Sequence, residues 1–519
     1  MKKIKLFIIL GALSVGAVIS SCNMDKTPYD RIPSEITTMQ DATAFRTRLY
    51  ATLKDITGGP ATFFYGDFQS DMFNVPANYG NHFGWAYRWG ADATVPEIED
   101  FWYGMYSHIN NTNFLIEGIE HLRGIPNTPQ SDLNLLNTYW GESHLLRAFY
   151  HYQLVLKYCK AYDPATANEA ASGVMLITEP LVPANDYKPR ATLAEVYTQM
   201  MADIAVAEEY ITNNGAPNSY YFNADIVQAF KARVALSMKD YPTAVTAAMN
   251  VINSGRYELT SDPVAFKGMW NVEDKLGTTA YDGVTYNTAQ KELLMILLAK
   301  DAGDGPVETG FRFLNFVVGS GRYSPTFFPT QTSIDRFDAD NDIRFAAYFD
   351  LKPLILDNTG SDEIYYLNKY PGNPALTTDN YQKHFHQAKP FRLAELYLIA
   401  AEANYFANNT TAANEMLNAI RAKRITNWTT QSYSGEALLN EIKLERFREL
   451  YAEGQRLYDL KRWGDGFNRG TSQSPALTMT GLQYSELSVE PNNFRFLWPI
   501  PKAELDINLA IKDQQNPGY

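Results

Sequence analysis

The sequence predicts a mainly α-helical protein in which tetratricopeptide-like helix pairs form a scaffold for long, irregular, aromatic-rich loop insertions. Three observations predict it. Apolar residues recur three and four apart over several long stretches, the signature of helices with one buried face. Two of these stretches double back after a short polar turn into hairpins of roughly 33 residues, the length of a tetratricopeptide unit. Between them, Gly and Pro interrupt segments crowded with aromatics. The 519 residues include 34 Tyr, 28 Phe and 8 Trp against 7 His, a composition for stacking and packing more than for proton transfer.

The chain opens with a basic start, Met1–Lys5, and a largely apolar run from Leu6 to Ile19. That run is too short to span a bilayer but suits a signal-peptide core. It ends in Ile19-Ser20-Ser21-Cys22, which resembles the bacterial lipobox, so residues 1–21 are expected to be cleaved and Cys22 to carry lipid. Two anchored acyl chains hold a protein at a membrane where one is marginal. Residues 22–40, interrupted by Pro28 and Pro33, read as a tether. Helical spacing begins at Asp41 with Phe45, Leu49 and Leu53. Residues 57–100 break it with Gly58-Gly59-Pro60, Gly66, Pro76, Gly80, Gly84 and Gly90. It returns over Phe101–Leu122 and Asp132–Lys160, and Thr192-x-x-Glu195 is a capping box that opens the next helix.

The two hairpins follow. Asn223–Met238 carries Ile226, Phe230, Val234 and Ala235 on one stripe, turns at Lys239-Asp240, and returns through Ala244, Ala248 and Val251. Phe391–Phe406 turns at Asn408-Asn409 into Thr410–Arg424. Ala232, Ala235, Ala400 and Ala403 stand where the helices must approach closely. Residues 256–385 read as mostly loop, with the apolar stretch between Lys291 and Lys300 open to either a covered strand or a buried helix. A loop region of that length inside a compact protein is more often functional than idle.

Several function classes are excluded or disfavoured. With 58 acidic and 45 basic residues the formal net charge is −13, which repels phosphate backbones, so no nucleic-acid partner is expected. Loss of residues 1–21 removes three lysines and no acids, making the mature chain more acidic still. Two cysteines build neither a disulfide scaffold nor a structural zinc site, and Cys159 lies in an apolar run that reads as packing. Asp338-x-Asp340-x-Asp342 begins like a calcium loop, but Ile343 and Phe349 stand where such a loop needs Gly and Glu, so these read as helix-start carboxylates near Arg344. His384 and His386 would share a strand face without a third ligand. No metal, cofactor or catalytic motif is evident.

Three C-terminal stretches carry a family resemblance. The first is Phe391-Arg392-Leu393-Ala394-Glu395-Leu396-Tyr397-Leu398-Ile399-Ala400-Ala401-Glu402-Ala403, with Leu417-Asn418-Ala419-Ile420-Arg421. The second runs Glu445-Arg446-Phe447-Arg448-Glu449-Leu450-Tyr451-Ala452-Glu453-Gly454-Gln455-Arg456 and on through Tyr458-Asp459-Leu460-Lys461-Arg462-Trp463. The third is Pro499-Ile500-Pro501 with Gln515-Asn516-Pro517-Gly518-Tyr519. Together they resemble the SusD/RagB family of outer-membrane lipoproteins, and Arg147–Tyr152 is similar to that family's N-terminal half. The resemblance implies a SusD-like fold, with residues 41–255 as N-terminal half and 256–519 as C-terminal half of one body. It also implies a lipid anchor on the outer face of the outer membrane, oligosaccharide capture, and a SusC-like TonB-dependent transporter as partner. A minority of the family captures peptides or proteins instead, and that alternative stays open.

The acidic and basic residues of the second stretch invite a catalytic reading. Glu445, Glu449, Glu453 and Asp459 each have a basic neighbour within a helical turn, which favours the charged form and argues for an ion-pair network over a glycosidase's raised-pKa acid. A glycoside hydrolase remains a remote third reading. Sugar capture instead needs flat apolar faces beside hydroxyl-binding polar groups. Phe83-Gly84-Trp85-Ala86-Tyr87-Arg88-Trp89 alternates aromatics, so an extended backbone would line up Trp85, Tyr87 and Trp89 on one face, with Asp67, Asp71, Asn81 and Arg88 close by in sequence; the inward face of a packed strand is the competing reading. A second candidate group is Trp270, Tyr281, Tyr286, Arg312 and Tyr323.

Overall fold

Helix starts follow the capping residues of the sequence. A computed structural model of the chain describes residues 35–180, 187–270, 290–297, 325–356, 360–370 and 385–519, with three two-residue strands at 307–308, 316–317 and 322–323. Helix α1, Met39–Gly58, starts at a capping box between Thr38 and Asp41 and buries Phe45, Leu49 and Leu53. Pro96 opens α2, Pro96–Arg123, at a position where its missing N–H costs nothing. Helix α3, Gln130–Tyr158, packs between α2 and α4, Leu193–Tyr210, and α4 begins at the Thr192–Glu195 capping box. Glu142 of α3 receives Arg46 in a bidentate pair at 2.6 and 2.7 Å and the Tyr50 hydroxyl at 2.9 Å, which fixes α1 across α3.

The two sequence-predicted hairpins share one turn geometry. Helices α5, Ala224–Ser237, and α6, Tyr241–Ile252, are joined through Lys239 at φ 61°. Helices α7, Leu393–Phe406, and α8, Thr410–Arg424, are joined through Asn408, also at φ 61°. In each, the residue after the left-handed one bonds back to a carbonyl five residues earlier, Asp240 to Ala235 at 2.9 Å and Asn409 to Asn404 at 2.8 Å. Each also caps the following helix with its side chain, on Thr243 and Ala412. The second hairpin stacks on the first through α6 and α7, where Ala232, Ala235, Ala244, Ala248, Ala400 and Ala403 are fully buried and let the backbones close up.

The stretch between Lys291 and Lys300 resolves as a strand, β1, Leu293–Leu297, wholly buried and paired antiparallel with β4, Ala388–Arg392. Residues 349–367, read from sequence as loop, are instead an antiparallel pair, β2 (Phe349–Leu356) with β3 (Gly360–Leu367), in unbroken register from Phe349↔Leu367 to Leu356↔Gly360. The C-terminal motif does not form one continuous helix either. Helix α9, Gly435–Glu449, stops, a turn follows, and α10 runs from Arg456 to Trp463. Gly454 sits in that turn at φ 76°, and a Cβ there would stand 2.5 Å from the Thr62 carbonyl, so only glycine closes it.

The network expected on those helices exists, but most of its partners come from elsewhere in the chain. Arg344, Arg392, Arg421, Arg424 and Lys369 face Glu292, Asp342, Glu445, Glu449 and Glu453, five cations to five acids. Burial alone would raise the Glu445 carboxyl, but Arg344, Arg421 and Arg448 overcome it and hold it at about 2. Asp342 caps the helix Ile343–Tyr348 and pairs with Arg344, the helix-start role read from sequence. The chain's last motif returns to the first half: Asn516 donates to the carbonyls of Tyr158 and Trp498 at 2.8 and 2.7 Å. Cys159, at the end of α3, is fully buried, as its apolar run indicates.

Candidate functional site

The loop between α1 and α2 is held from below by two acids. Asp67 is buried and accepts from the backbone N–H groups of Gly454 and Arg456 at 2.7 and 3.3 Å. Burial pushes its carboxyl up to about 7, those amides opposing. Asp71 accepts from Arg456 at 2.8 and 2.9 Å and from Arg336 at 3.0 Å; burial raises it, but the two guanidinium groups more than reverse that and leave it well below the usual carboxylate range. Both acids therefore face inward and clamp the α9–α10 turn onto the loop. Farther along, Ala77 and Met479 exchange backbone bonds with Leu477 and Val75 at 2.8 and 3.0 Å, which brings the 475–487 segment beside the loop.

The run from Phe83 to Trp89 is not extended. Gly84–Tyr87 is a single helical turn flanked by left-handed residues, Asn81 at φ 61°, Phe83 at φ 56° and Trp89 at φ 56°. Non-glycine residues adopt this region seldom, and such strain gathers at binding sites. A Cβ at Gly84 would lie 2.0 Å from Asn81 Oδ1, so a larger residue there would displace the exposed Asn81 side chain. The turn sends the four aromatics to opposite sides. Tyr87 is fully buried with the Arg469 guanidinium 3.7 Å from its ring centre. Trp89 is buried against Phe467 and Phe496 and donates through Nε1 to the Gln69 carbonyl at 2.9 Å.

Phe83 and Trp85 stay half-buried at the surface. They rest on a bed of buried rings: Phe83 lies 5.7 Å from both Tyr65 and Phe68, and Trp85 lies 5.0 Å from Tyr65 and 5.3 Å from Trp498. Phe327 stacks at 3.8 Å beneath Phe68. Exposed Asn78, Asn81 and His82 and half-buried Arg88 are polar residues of the same loop. Trp85 Nε1 has no hydrogen-bond partner. Rigid ring faces beside amides, an imidazole and a guanidinium can stack on a sugar ring's C–H face and bond its hydroxyls.

Of the other sequence candidates, Trp270 ends the helix Pro263–Trp270 and is buried, with Tyr370 at 5.7 Å, Tyr348 at 6.3 Å and Lys369 Nζ 4.1 Å over its ring. It walls a pocket of about 70 Å³ that it shares with Lys389, Arg392 and Glu453. Burial pushes the Lys389 ammonium down to about 7. The structure does not bring Trp270 to the Phe83–Trp85 surface. Tyr323 occupies the two-residue strand Arg322–Tyr323. Its side chain, together with Tyr281, Tyr286, Arg312, His384 and Cys22, lies outside the described residues. His386 is buried and stacks on Tyr370 at 4.6 Å. Among the described residues no group of three or more His, Cys, Asp or Glu could hold a metal ion.

Sequence reasoning missed Tyr79, Phe327, Tyr484 and Arg469. Tyr79 donates to the His82 carbonyl and lies edge-on to Tyr484, with ring centres 6.5 Å apart. Arg469 joins this group from 382 residues beyond Tyr87, which no local pattern reports.

Comparison with known proteins matches two family models to separate parts of the chain. A model described as "Starch-binding associating with outer membrane" matches residues 24–236, and one described as "SusD family" matches 330–519. A SusD-like protein of Formosa agariphila is 25% identical over 398 residues, spanning 70% of this chain and 71% of that protein. The crystal structure of a SusD superfamily protein from Bacteroides thetaiotaomicron superposes with a TM-score of 0.73 at 25% identity, covering 93% of this chain and all of the other. A laminarin-binding SusD-like protein shares the fold, with a TM-score of 0.65 at 20% identity over 92% of this chain and 99% of that one.

Proposed function

The chain belongs to the SusD family, and on that premise we propose that it is a non-catalytic, lipid-anchored receptor that captures oligosaccharides outside the outer membrane and delivers them to a SusC-like TonB-dependent transporter. The observation that carries the binding half is the Phe83–Trp85 surface. Two aromatic rings remain half-buried on a bed of buried rings, with Asn78, Asn81, His82 and Arg88 on the same loop. Such a platform loses little conformational entropy when a sugar stacks on it. One of the two matching family models is described as starch-binding and associating with the outer membrane, and a protein of the same fold is described as laminarin-binding. The basic start, apolar run and Cys22 support export and lipid attachment.

The acids that might suggest hydrolysis are otherwise engaged. Asp67 and Asp71, beside the platform in sequence, face inward, and Glu445 and Glu449 are buried among guanidinium groups. Glycosidase carboxylates instead flank a substrate cleft. Calorimetric titration of the mature protein with plant, microbial and host oligosaccharides, and with a peptide digest, tests the reading. Binding of one glycan class that is weakened by Trp85→Ala supports it. Heat from the peptides alone assigns the protein to peptide capture, and release of reducing sugar from any polysaccharide overturns the non-catalytic assignment.

A further inference from the structure

Many cations in this protein are paired with acids. The buried arginines of the C-terminal network each meet carboxylates, and Arg46, Arg147, Arg233 and Arg256 do the same in the first half. Buried Arg190 and half-buried Lys461 are met by carbonyls instead. Two guanidinium groups at the candidate site also lack an ion pair, and they keep an unpartnered nitrogen as well. Arg88, at the end of the Gly84–Tyr87 turn, has no carboxylate, and its Nε is buried with no hydrogen-bond partner. Arg469 is 4% exposed and is met by carbonyls, Tyr87 at 3.0 Å and Phe68 at 3.2 Å, while its Nε is also unpartnered. Both guanidinium groups are close enough to Tyr79 to act on its phenol. Among the described residues neither has a carboxylate at ion-pair distance; Asp71 acts on Arg469 from farther away.

A guanidinium that keeps surface exposure and has no counter-ion is open to an anionic partner. We propose that the group answering Arg88 is the anionic substituent of the ligand, so that the glycan captured here is an acidic one, bearing carboxylate or sulfate. The inference rests on the glycan-capture reading and narrows it. Arg88 is the contact residue, because it is the one with surface exposure. Arg469, beneath it, adds positive potential and holds the loop by its carbonyl bonds. The Trp85 indole lies three residues away on the same turn, so one sugar can stack on Trp85 while its own or its neighbour's acid group reaches Arg88. A guanidinium suits this task, since its planar fork pairs with both oxygens of a carboxylate or two of a sulfate.

The test uses the mature full chain in a sugar-free detergent, titrated with three probes: oligogalacturonides, sulfated galactan oligosaccharides, and neutral β-glucan oligosaccharides. The expected result is that one charged series binds more tightly than the neutral one, and more weakly as salt rises. Arg88→Gln should then lose about ten- to a hundredfold in affinity for that series, the worth of a charge-assisted bond, while Arg88→Lys recovers part of it. Carboxylate and sulfate are told apart by which charged series responds. An unchanged melting temperature in Arg88→Gln shows that the loss is not one of folding. Binding confined to neutral glycans, or charged binding indifferent to Arg88→Gln, overturns the inference and leaves glycan capture standing. Silence from all three series with heat from peptides overturns both.

Discussion

Glu449→Gln is the sharpest test of how the fold is held. The Glu449 carboxylate accepts from Arg392 at 2.6 Å, from Arg424 at 2.9 and 3.0 Å and from Arg344 at 2.9 Å. All four side chains are 2% exposed or less. The substitution keeps the shape, removes the charge and turns an amide N–H₂ toward a donor. It leaves five buried cations facing four acids. Breaking a buried pair by removing one partner costs about 3–5 kcal/mol, a large part of the roughly 5–15 kcal/mol that holds a domain together. Arg344 and Arg392 keep other carboxylates and Arg424 keeps Glu292, so the lower end of that range is the expectation. Lys502→Gln is the control: its pair with Asp506 is an exposed i, i+4 contact, expected to be worth about 0.3–0.5 kcal/mol. Urea unfolding at pH 7 measures both. A Glu449→Gln loss below about 1 kcal/mol refutes the claim that this network ties Glu292 and Arg344 to the C-terminal helices.

Three further outcomes are expected. Trp85→Ala should weaken glycan binding about fivefold, the worth of one stacked ring, with little change in melting, whereas Tyr87→Ala should cost about 3–5 kcal/mol of stability; paired titration and melting curves separate them. Folding stability should depend on pH from both sides. Asp67, raised to about 7, contributes stability that is complete below its free value near 3.8 and is lost as pH rises through 7, so Asp67→Asn should flatten the fall between pH 5 and 8 in urea titrations. Glu445 and His151 work the other way. Glu445, held at about 2, loses its contribution as pH falls from 4.5 toward 2, and His151, kept neutral by burial with its value pushed down to about 4, loses its own as pH falls from 6.5 toward 4. Finally, burial raises the Cys159 thiol to about 11, so an aromatic disulfide reagent should label it only on unfolding.

The scaffold was legible because its signals are local. Capping residues Thr192 and Glu195, the turn residues at 239 and 408, and apolar spacing of three and four decide helices within a few residues of chain. The ion network was legible as chemistry but not as geometry: Glu445 and Glu449 do pair with arginines, yet with Arg344, Arg392 and Arg424, which no helical spacing connects to them. The α9–α10 break hid because it depends on Gly454 meeting Thr62, almost four hundred residues away in sequence. The β2–β3 pair was missed although Asp357-Asn358-Thr359-Gly360 offers turn residues between two apolar runs. The candidate site was half legible. The segment stood out by its aromatics, but period-two alternation gave the wrong backbone, since Gly84–Tyr87 coils into a helical turn over the ring bed under Phe83 and Trp85. That turn sorted Tyr87 and Trp89 into the core and left Phe83 and Trp85 half-buried at the surface.

The most direct test of glycan capture at the Phe83–Trp85 platform is calorimetric titration of the mature protein and of its Phe83→Ala/Trp85→Ala double variant with the same oligosaccharide panel. Glycan capture there predicts saturable heat from one glycan class in the native protein and its loss in the double variant at unchanged melting temperature. Equal glycan affinity in the two proteins would contradict it and move the site elsewhere on the molecule.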